Sequence, residues 1–347
     1  MQTNELGRTG IKVSDMCLGT MTFGTQTSMD EGCRQIDMAL DHGINFLDTA
    51  EMYPTNPLSK ETQGDTERVI GEWVKRSGRR SEMVIATKVS GSGYKNVRDG
   101  AAMGPETIGV ALEASLASLN TDYVDLYQLH WPNRGSYMFR QNWTYDPTGQ
   151  DRAEVLEHME AVLEALAGHI KAGRIRAVGL SNESAWGSAQ WLRLAEDKGL
   201  PRMATIQNEY SLLCRMFDSD MAELSHHEDL GLLAFSPLAA GLLSGKYQGG
   251  AKPEGSRKTF VDDLGGRFTP NAVEAVARYL EIAERHGLNP IHMALAWCRT
   301  RPFMTSAIFG ATTEAQLVEV LQGLDLELSA EVMAEITDVY RDFPMPY

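Results

Sequence analysis

Four side chains of complementary acid–base character fall at or just beyond the ends of predicted strands. Asp48, Lys88 and His130 end three successive apolar runs, and Tyr53 follows shortly after Asp48. Taken singly, each has an ordinary explanation: a turn or capping Asp, a solvated Lys, a buried His and a packed Tyr. Taken together they call for a shared reason, because buried charges are costly unless they are paired.

These residue types suit proton transfer to a carbonyl oxygen. A free tyrosine has a pKa of about 10, and a neighbouring ammonium stabilises the phenolate and lowers that value. We expect Lys88 to lower the pKa of Tyr53, with Asp48 fixing the lysine in place. His130 would donate a hydrogen bond to the substrate oxygen, which completes a general acid with an oxyanion-stabilising frame.

The elements that must position these residues follow a β–α pattern. Short runs that are apolar throughout alternate with longer amphipathic stretches, as is typical of parallel strands covered by helices. The predicted strands are residues 16–19, 45–49, 83–89, 124–130, 175–180, 204–208, 231–236 and 306–310. The predicted helices are residues 29–42, 66–75, 107–119, 154–172, 184–198, 218–228, 272–286, 291–301, 314–321 and 330–340.

This pattern, without a Pro/Gly-rich linker, predicts one closed (β/α)8 TIM barrel spanning residues 1–347, with extra helices near the C-terminus. Glu5-Leu6 and Ile11–Val13 flank Arg8-Thr9-Gly10, which predicts a small hairpin that caps the bottom of the barrel. The alternative is a doubly wound sheet, which usually carries G-x-G-x-x-G after its first strand. Residues 18–24 read Leu-Gly-Thr-Met-Thr-Phe-Gly and lack that motif.

Composition narrows the classes of partner. The net charge of −15 disfavours nucleic acid and anionic membrane surfaces. The four cysteines are scattered and no signal-like segment opens the sequence, so we expect reduced thiols and a cytoplasmic protein. Adjacent residues of a helix do not share a face, so His226-His227 predicts solvated surface, and we expect no metal site.

Several ordered motifs resemble the aldo-keto reductase superfamily along the whole chain. They are residues 43–50 with Tyr53, residues 85–88, 122–132, 173–182, 207–211 and 236–238. Within the superfamily the chain is most similar to bacterial Tas-like members and to potassium-channel beta subunits. The resemblance implies a catalytic tetrad on Asp48, Tyr53, Lys88 and His130, and a nicotinamide cofactor bound across the barrel mouth without a Rossmann fold.

The resemblance also implies a set of cofactor contacts. Ser181, Asn182 and Gln207 would bind the carboxamide, and Tyr210 would stack on the nicotinamide. The pyrophosphate loop would comprise Ser236, Pro237, Leu238 and Gly241, with Lys246 nearby. The adenosine end would comprise Gly310, Thr312, Thr313, Gln316 and Glu319.

Two departures bear on cofactor choice. Many superfamily members carry a cation after the eighth strand, where the 2′-phosphate sits, but residues 309–316 hold none. Thr hydroxyls and a helix N-terminus still suit a phosphate, and Arg299 and Arg301 are alternative cations. Val320 stands where relatives often have Asn. The resemblance therefore favours NADP(H), with NAD(H) possible.

The segment 131–151 has no periodicity and is long for a βα connection. One interpretation is a lid whose aromatic rings shape the substrate pocket, and the other is a loop packed on its own rings. We place Met21, Phe23, Trp131 and Trp143 in that pocket.

The sequence thus predicts an NADP-dependent reductase of small aldehydes or ketones, with Tyr53 as general acid and base. One alternative is a cofactor-binding regulatory subunit with little turnover, as the channel beta subunits suggest. A barrel hydrolase is a third reading, but it needs two facing carboxylates, and Asp48 alone is clearly placed.

Overall fold

The computed structural model describes all residues of the chain, Met1–Tyr347. Two short strands, β1 (Thr3–Glu5) and β2 (Lys12–Ser14), pair antiparallel. The remaining eight strands close a parallel barrel in the order β10-β3-β4-β5-β6-β7-β8-β9. They are β3 (Met16–Gly19), β4 (Phe46–Asp48), β5 (Val84–Val89), β6 (Val124–Leu129), β7 (Ile175–Ser181), β8 (Met203–Glu209), β9 (Gly231–Phe235) and β10 (Met304–Gly310).

Ten helices surround the barrel. They are α1 (Met29–Asp41), α2 (Asp65–Ser77), α3 (Pro105–Leu119), α4 (Arg152–Lys171), α5 (Ala185–Lys198), α6 (Asp220–Glu228), α7 (Pro270–Arg285), α8 (Pro290–Arg299), α9 (Glu314–Leu321) and α10 (Ala330–Asp342). None of these helices is both long enough and apolar enough to cross a membrane.

The structure confirms the predicted (β/α)8 barrel, its N-terminal hairpin and the additional helices near the C-terminus. Strand β3 and helix α9 have the predicted bounds, and the other elements differ by a few residues at their ends. Gly64, in the left-handed region at φ 79°, is the N-cap of α2, and Asp65 is the first helical residue. A carboxylate in that first turn still interacts favourably with the helix dipole.

The barrel interior changes from apolar to polar towards the C-terminal ends of the strands. Its lower part is one apolar cluster of Leu6, Ile11, Val13, Cys17, Phe46, Val84, Ala86, Leu126, Ala177, Ala204, Leu233 and Ile308. Leu6, Ile11 and Val13 come from the hairpin and its turn, which therefore form a plug at the bottom of the barrel. Side chains alternate along a strand, so Asp48, Lys88 and Gln128, each two residues beyond a cluster member, also point inwards. The polar residues gather above this plug.

A carboxylic acid is buried between the barrel and its helices. Glu67 of α2 is 2% exposed and accepts a hydrogen bond from the outward-facing Thr87 hydroxyl at 2.5 Å. Burial, reinforced by the negative charge of Glu51, raises the pKa of Glu67 to about 7, although the hydrogen bond from Thr87 opposes the shift. Glu67 is therefore largely protonated below neutral pH.

We predict that Glu67→Gln removes part of the pH dependence of stability. The folded-state pKa of Glu67 lies near 7 against an ordinary value of 4.5, so folded protein binds more protons between these values and stability falls as pH rises through that window. Gln stays neutral, so the variant should match wild type in urea unfolding at pH 4.5 and exceed it by up to about 3 kcal/mol at pH 8. Glu72→Gln, on the half-exposed side of α2, is the control. An identical difference at both pH values would contradict the assignment.

Candidate active site

Lys88, Asp48 and Tyr53 meet inside the upper end of the barrel. Asp48 ends β4, and Lys88 lies on the adjacent β5. The Lys88 Nζ donates hydrogen bonds to Asp48 Oδ2 at 2.6 Å, to the Thr49 carbonyl at 2.8 Å and to the Tyr53 hydroxyl oxygen at 3.3 Å. The Lys88 side chain is 0% exposed and that of Asp48 is 4% exposed. The three donors of the ammonium are therefore all used away from water.

Two glutamines complete the surroundings of Asp48, and the sequence did not predict this arrangement. The Gln207 Nε2 donates to Asp48 Oδ1 at 2.7 Å, and the Gln128 Nε2 donates to the same oxygen at 3.2 Å. Gln207 also donates to the Gln128 Oε1 at 3.0 Å. Both glutamines are buried, so each carboxylate oxygen of Asp48 has a protein partner. The alternation of residues on β6 and β8 is the signal that could have revealed them.

Burial controls the protonation of the tyrosine. It raises the pKa of Tyr53, and the positive charge of Lys88 opposes that shift without overcoming it. For Lys88, burial lowers the pKa, but Asp48 and Tyr53 together outweigh burial and leave the value above its ordinary range. Lys88 thus lowers the pKa of Tyr53 as expected, but burial outweighs its contribution and the net shift is upward. Tyr53 is a neutral phenol beside a charged ammonium.

His130 completes the group as a neutral imidazole. Its ring centroid lies 5.8 Å from that of Tyr53 in an edge-on arrangement. Burial, with a further contribution from the charge of Lys88, holds the pKa of His130 well below its ordinary value. Its Nδ1 is buried without a hydrogen-bond partner. The structure thus brings Asp48, Tyr53, Lys88 and His130 together, as predicted, with two neutral groups facing one buried ion pair.

The residues expected to bind a carboxamide lie beside this group. Ser181 ends β7, and the Asn182 Nδ2 donates to the Ser181 hydroxyl at 3.0 Å and to the His130 carbonyl at 2.9 Å. Asn182 has a φ of 53°, and its Oδ1 is buried without a partner. Strained backbone and an unsatisfied acceptor at a strand end are typical of binding sites. An amide N–H of a ligand would satisfy that oxygen.

The segment after β9 has backbone geometry suited to a phosphate. Ser236 has a φ of 55°, and the residues following Pro237 and Leu238 include Ala239, Ala240 and Gly241, also with positive φ. Such runs can turn backbone N–H groups towards an anion, although those of Ala239 and Gly241 donate to the Ser236 and Leu238 carbonyls here. Lys246 folds back over Gly241, where a Cβ would lie 2.9 Å from the lysine Nζ. The φ of 90° at Gly241 also favours glycine at this position.

The residues expected at the adenosine end lie on and before α9. Gly310 ends β10, Thr313 caps α9, and Gln316 Oε1 accepts from the backbone N–H and hydroxyl of Thr312 at 2.9 and 3.0 Å. These four residues are close to solvent. Glu319, further along α9, accepts from Asn289 at 3.3 Å and lies near Lys246.

The alternative phosphate-binding cations are engaged elsewhere. Arg299 pairs with Asp15 at 2.8 Å, and Arg301 pairs with Asp218 at 3.2 Å. Neither is therefore free for a phosphate, and the suggestion that they reach the cofactor is not supported.

Arg257 is a functional candidate that sequence reasoning missed. Its side chain makes no ion pair with any carboxylate, and its Nε is buried without a partner. Burial, with repulsion from Arg267, lowers its pKa to about 10, and its charge makes a small contribution against the rise in the pKa of Tyr53. The side chain is half-buried and has no carboxylate partner, so an anionic ligand beside it would form favourable charge-assisted hydrogen bonds. The segment 251–268 lacks regular periodicity, which hid this residue.

Tyr210 does not lie where the resemblance placed it. The residue is 0% exposed, its ring stacks on that of Trp297 at a centroid distance of 5.4 Å, and its hydroxyl donates to Asp218 at 2.7 Å. This ring belongs to the core and is unavailable to a nicotinamide. Phe235, the last residue of β9, is half-buried and lies two positions after the inward-facing Leu233. We therefore replace Tyr210 with Phe235 as the candidate stacking ring.

Two of the four predicted pocket residues are wrong. Phe23 is 0% exposed and packs against Gly32 between the helices, so it belongs to the core. Trp143 is 64% exposed at the rim of the 131–151 segment. Trp131 does lie at the site, with its ring centroid 4.9 Å from that of His130. Met21 is half-buried in the segment after β3.

Trp131 belongs to an aromatic wall that continues away from His130. Its ring meets those of Tyr94 at 6.5 Å and Phe139 at 6.4 Å, both edge-on, and its indole N–H donates to the Ser92 carbonyl at 3.1 Å. Phe139 belongs to the 131–151 segment, so this segment contributes directly to the wall beside the catalytic candidates. The tip of the 131–151 segment does not contribute to the wall, because Trp143 faces solvent.

Comparison with known proteins agrees with this geometry. The model of the aldo/keto reductase family matches residues 15–341. Protein tas of Escherichia coli is 45% identical over 100% of this chain and 99% of its own length. The uncharacterized oxidoreductase YrpG of Bacillus subtilis is 30% identical over 98% of this chain and 96% of its own. A probable voltage-gated potassium channel subunit beta of Arabidopsis thaliana is 30% identical over 99% and 98%.

These matches span nearly the whole of each chain, so they cover the barrel and every strand end that carries the site. They support an oxidoreductase. The chain belongs to the aldo/keto reductase family.

Proposed function

We propose that the chain is an NADP(H)-dependent oxidoreductase that reduces small aldehydes or ketones to alcohols, with Tyr53 as general acid and base. One observation carries this proposal: the neutral hydroxyl of the half-buried Tyr53 lies 3.3 Å from the ammonium of a lysine that is itself paired with Asp48. That arrangement is suited to releasing one proton and stabilising the anion left behind.

A nicotinamide cofactor, when bound, would supply the hydride for the carbonyl carbon. Tyr53 donates its proton to the carbonyl oxygen, and the resulting phenolate is stabilised by the Lys88 ammonium. Asp48 keeps Lys88 charged and in place. His130, neutral and adjacent, orients the carbonyl oxygen by hydrogen bonding. In the reverse direction the phenolate accepts the proton of an alcohol.

Unsatisfied groups around the mouth support a cofactor that offers both amide and phosphate. The free Oδ1 of Asn182 suits a carboxamide N–H, and the unpaired guanidinium of Arg257 suits a phosphate. We propose that the cofactor contacts are Ser181, Asn182, Gln207, Phe235, Ser236, Pro237, Leu238, Gly241, Lys246, Arg257, Gly310, Thr312, Thr313, Gln316 and Glu319.

A cofactor-binding regulatory role is the second candidate, because one relative of nearly equal length is named as a channel subunit. The two candidates share the site but differ in turnover. Oxidation of NADPH in the presence of 4-nitrobenzaldehyde, followed by absorbance, separates them. Multiple turnovers support the reductase, whereas binding of NADPH without turnover of this and other reactive aldehydes favours the regulatory role.

We predict that Arg257 contributes to cofactor binding. Arg257→Gln should weaken NADPH binding at least about tenfold in a fluorescence titration, because a hydrogen bond to a charged group contributes roughly 1.5 kcal/mol or more. Lys252→Gln removes an exposed positive charge from the same segment and is the matched control. Wild type should also bind NADPH more tightly than NADH. Equal losses of NADPH affinity in both variants would contradict the assignment of Arg257. Tighter binding of NADH than of NADPH by wild type would contradict the proposed preference for NADP(H).

We predict that Tyr53 is required for the chemical step. Tyr53→Phe keeps the ring but removes the proton, so it should lower kcat at least about 100-fold with NADPH affinity nearly unchanged. Lys88→Met should lower kcat comparably, because the phenolate loses its stabilising charge, and Asp48→Asn should lower kcat less. Tyr94→Phe, a tyrosine of the adjacent aromatic wall, is the control. A Tyr53→Phe enzyme with wild-type turnover would leave His130 as the donor.

We predict that the base of the 131–151 segment shapes substrate preference and that its tip does not. Trp131→Ala should change KM across aldehydes of different size, because its ring lies against His130. Trp143→Ala should leave KM unchanged, because that ring is in solvent. Steady-state kinetics on a series of benzaldehydes and short alkanals tests both. If Trp131→Ala preserves the order of preference, the segment is a self-packed loop.

A further inference from the structure

Three separate segments of the chain converge on one buried carboxylate, that of Glu209 at the end of β8. The Glu209 Oε2 accepts a hydrogen bond from the Arg140 Nη1 at 2.7 Å. Its Oε1 accepts from the Arg267 Nε at 2.6 Å and from the Tyr347 hydroxyl at 3.1 Å. The side chains of Glu209 and Arg267 are 7% and 5% exposed. Both carboxylate oxygens are thus occupied away from water.

The three partners come from the three segments that border the mouth near β8. Arg140 lies in the 131–151 segment, next to Phe139 of the aromatic wall. Arg267 lies in the same irregular segment as Arg257, and Tyr347 is the last residue of the chain. The C-terminal tail is tied to the Arg267 side as well, because the Thr269 hydroxyl donates to the Pro346 carbonyl.

Glu209 joins the two arginine-bearing segments through ion pairs to Arg140 and Arg267. The polar side chains joining them meet at Glu209, while Arg140 otherwise packs over Gly265 and Gly266, where added Cβ atoms would lie 3.6 and 3.4 Å from it. Burial and repulsion from Arg267 lower the pKa of Arg140, so the two guanidinium groups repel each other. The shared carboxylate pairs with both groups and offsets that repulsion. Breaking a buried charge pair by removing one partner is strongly unfavourable.

We propose that Glu209 is a positioning residue that couples the substrate side of the mouth to the cofactor side. Through Arg140 it holds the aromatic wall, and through Arg267 it holds the segment that carries Arg257. The inference rests on the proposed function, because Arg257 is assigned there to a cofactor phosphate. A ligand that orders one segment then stabilises the other through Glu209. Coupling of this kind is reciprocal: bound cofactor tightens substrate binding, and a bound product slows cofactor release.

The test uses a variant on the substrate side and a measurement on the cofactor side. Arg140→Gln should raise the rate of NADPH dissociation, measured by stopped-flow fluorescence, at least about tenfold. In wild type, 4-nitrobenzyl alcohol, which cannot react with NADPH, should slow that dissociation, and in Arg140→Gln it should not. The rate of hydride transfer in a single turnover at saturating NADPH should stay near wild type. Glu209→Gln should reproduce these effects.

Two controls separate coupling from general loosening. Asp125 is an equally buried carboxylate that pairs with Arg80 at 2.8 Å and Arg176 at 2.5 Å at the opposite end of the barrel, so Asp125→Asn should leave NADPH release unchanged. Trp143→Ala alters the 131–151 segment without touching Glu209 and should also release NADPH at the wild-type rate. Unchanged release in Arg140→Gln, or equal acceleration in Asp125→Asn, would overturn the proposal.

A measurement without cofactor keeps this inference separate from the proposed function. Hydrogen–deuterium exchange of the free protein should show faster exchange across residues 251–260, the part of the segment that carries Arg257, in Arg140→Gln than in wild type. Unchanged exchange there would overturn the coupling. A wild-type protein that binds no NADPH would instead refute the proposed function, and the exchange result would still decide whether Glu209 joins the two segments.

Discussion

The buried ion pair between Lys88 and Asp48 is the interaction on which the site depends. Two charges are removed from water inside a barrel, which costs several kcal/mol per ion unless each charge is fully partnered. Asp48 supplies the counter-charge, and amides from Gln128 and Gln207 occupy its second oxygen. The remaining donor of Lys88 is thereby directed at the Tyr53 hydroxyl. A fixed ammonium and a protonated phenol are the consequence of that partnering.

The barrel places these groups by strand alternation, whereas the segments above it determine access. Inward positions are apolar below and polar above, so the charges gather at the C-terminal ends of the strands, where barrel enzymes place their chemistry. The segments around the mouth add an aromatic wall from Trp131 to Phe139 and an unpaired cation at Arg257. The barrel strands thus hold the residues of proton transfer, and the irregular segments around the mouth hold the groups that would contact ligands.

The sequence predicted what depends on local periodicity and chain order. Strand ends follow from apolar runs, so the four catalytic candidates were found from their positions alone. Contacts between distant segments have no such signal, and the role of Glu209 and the isolation of Arg257 become visible only in three dimensions. Tyr210 was misplaced because a motif position does not reveal that its ring stacks on Trp297. The direction of the pKa shift at Tyr53 required knowing how deeply it is buried.

The most direct test of the central claim is the protonation state of Tyr53 in the free protein. Carbon-13 NMR of protein labelled at the tyrosine ring carbon that bears the hydroxyl, with Tyr53→Phe to assign the signal, reports that state across a pH titration. Burial outweighs the charge of Lys88, so the Tyr53 signal should keep the chemical shift of a neutral phenol up to at least about pH 10, the ordinary tyrosine value. A signal that titrates near neutral pH would show that Lys88 dominates, and would contradict the account of a buried, protonated acid held beside a paired ammonium.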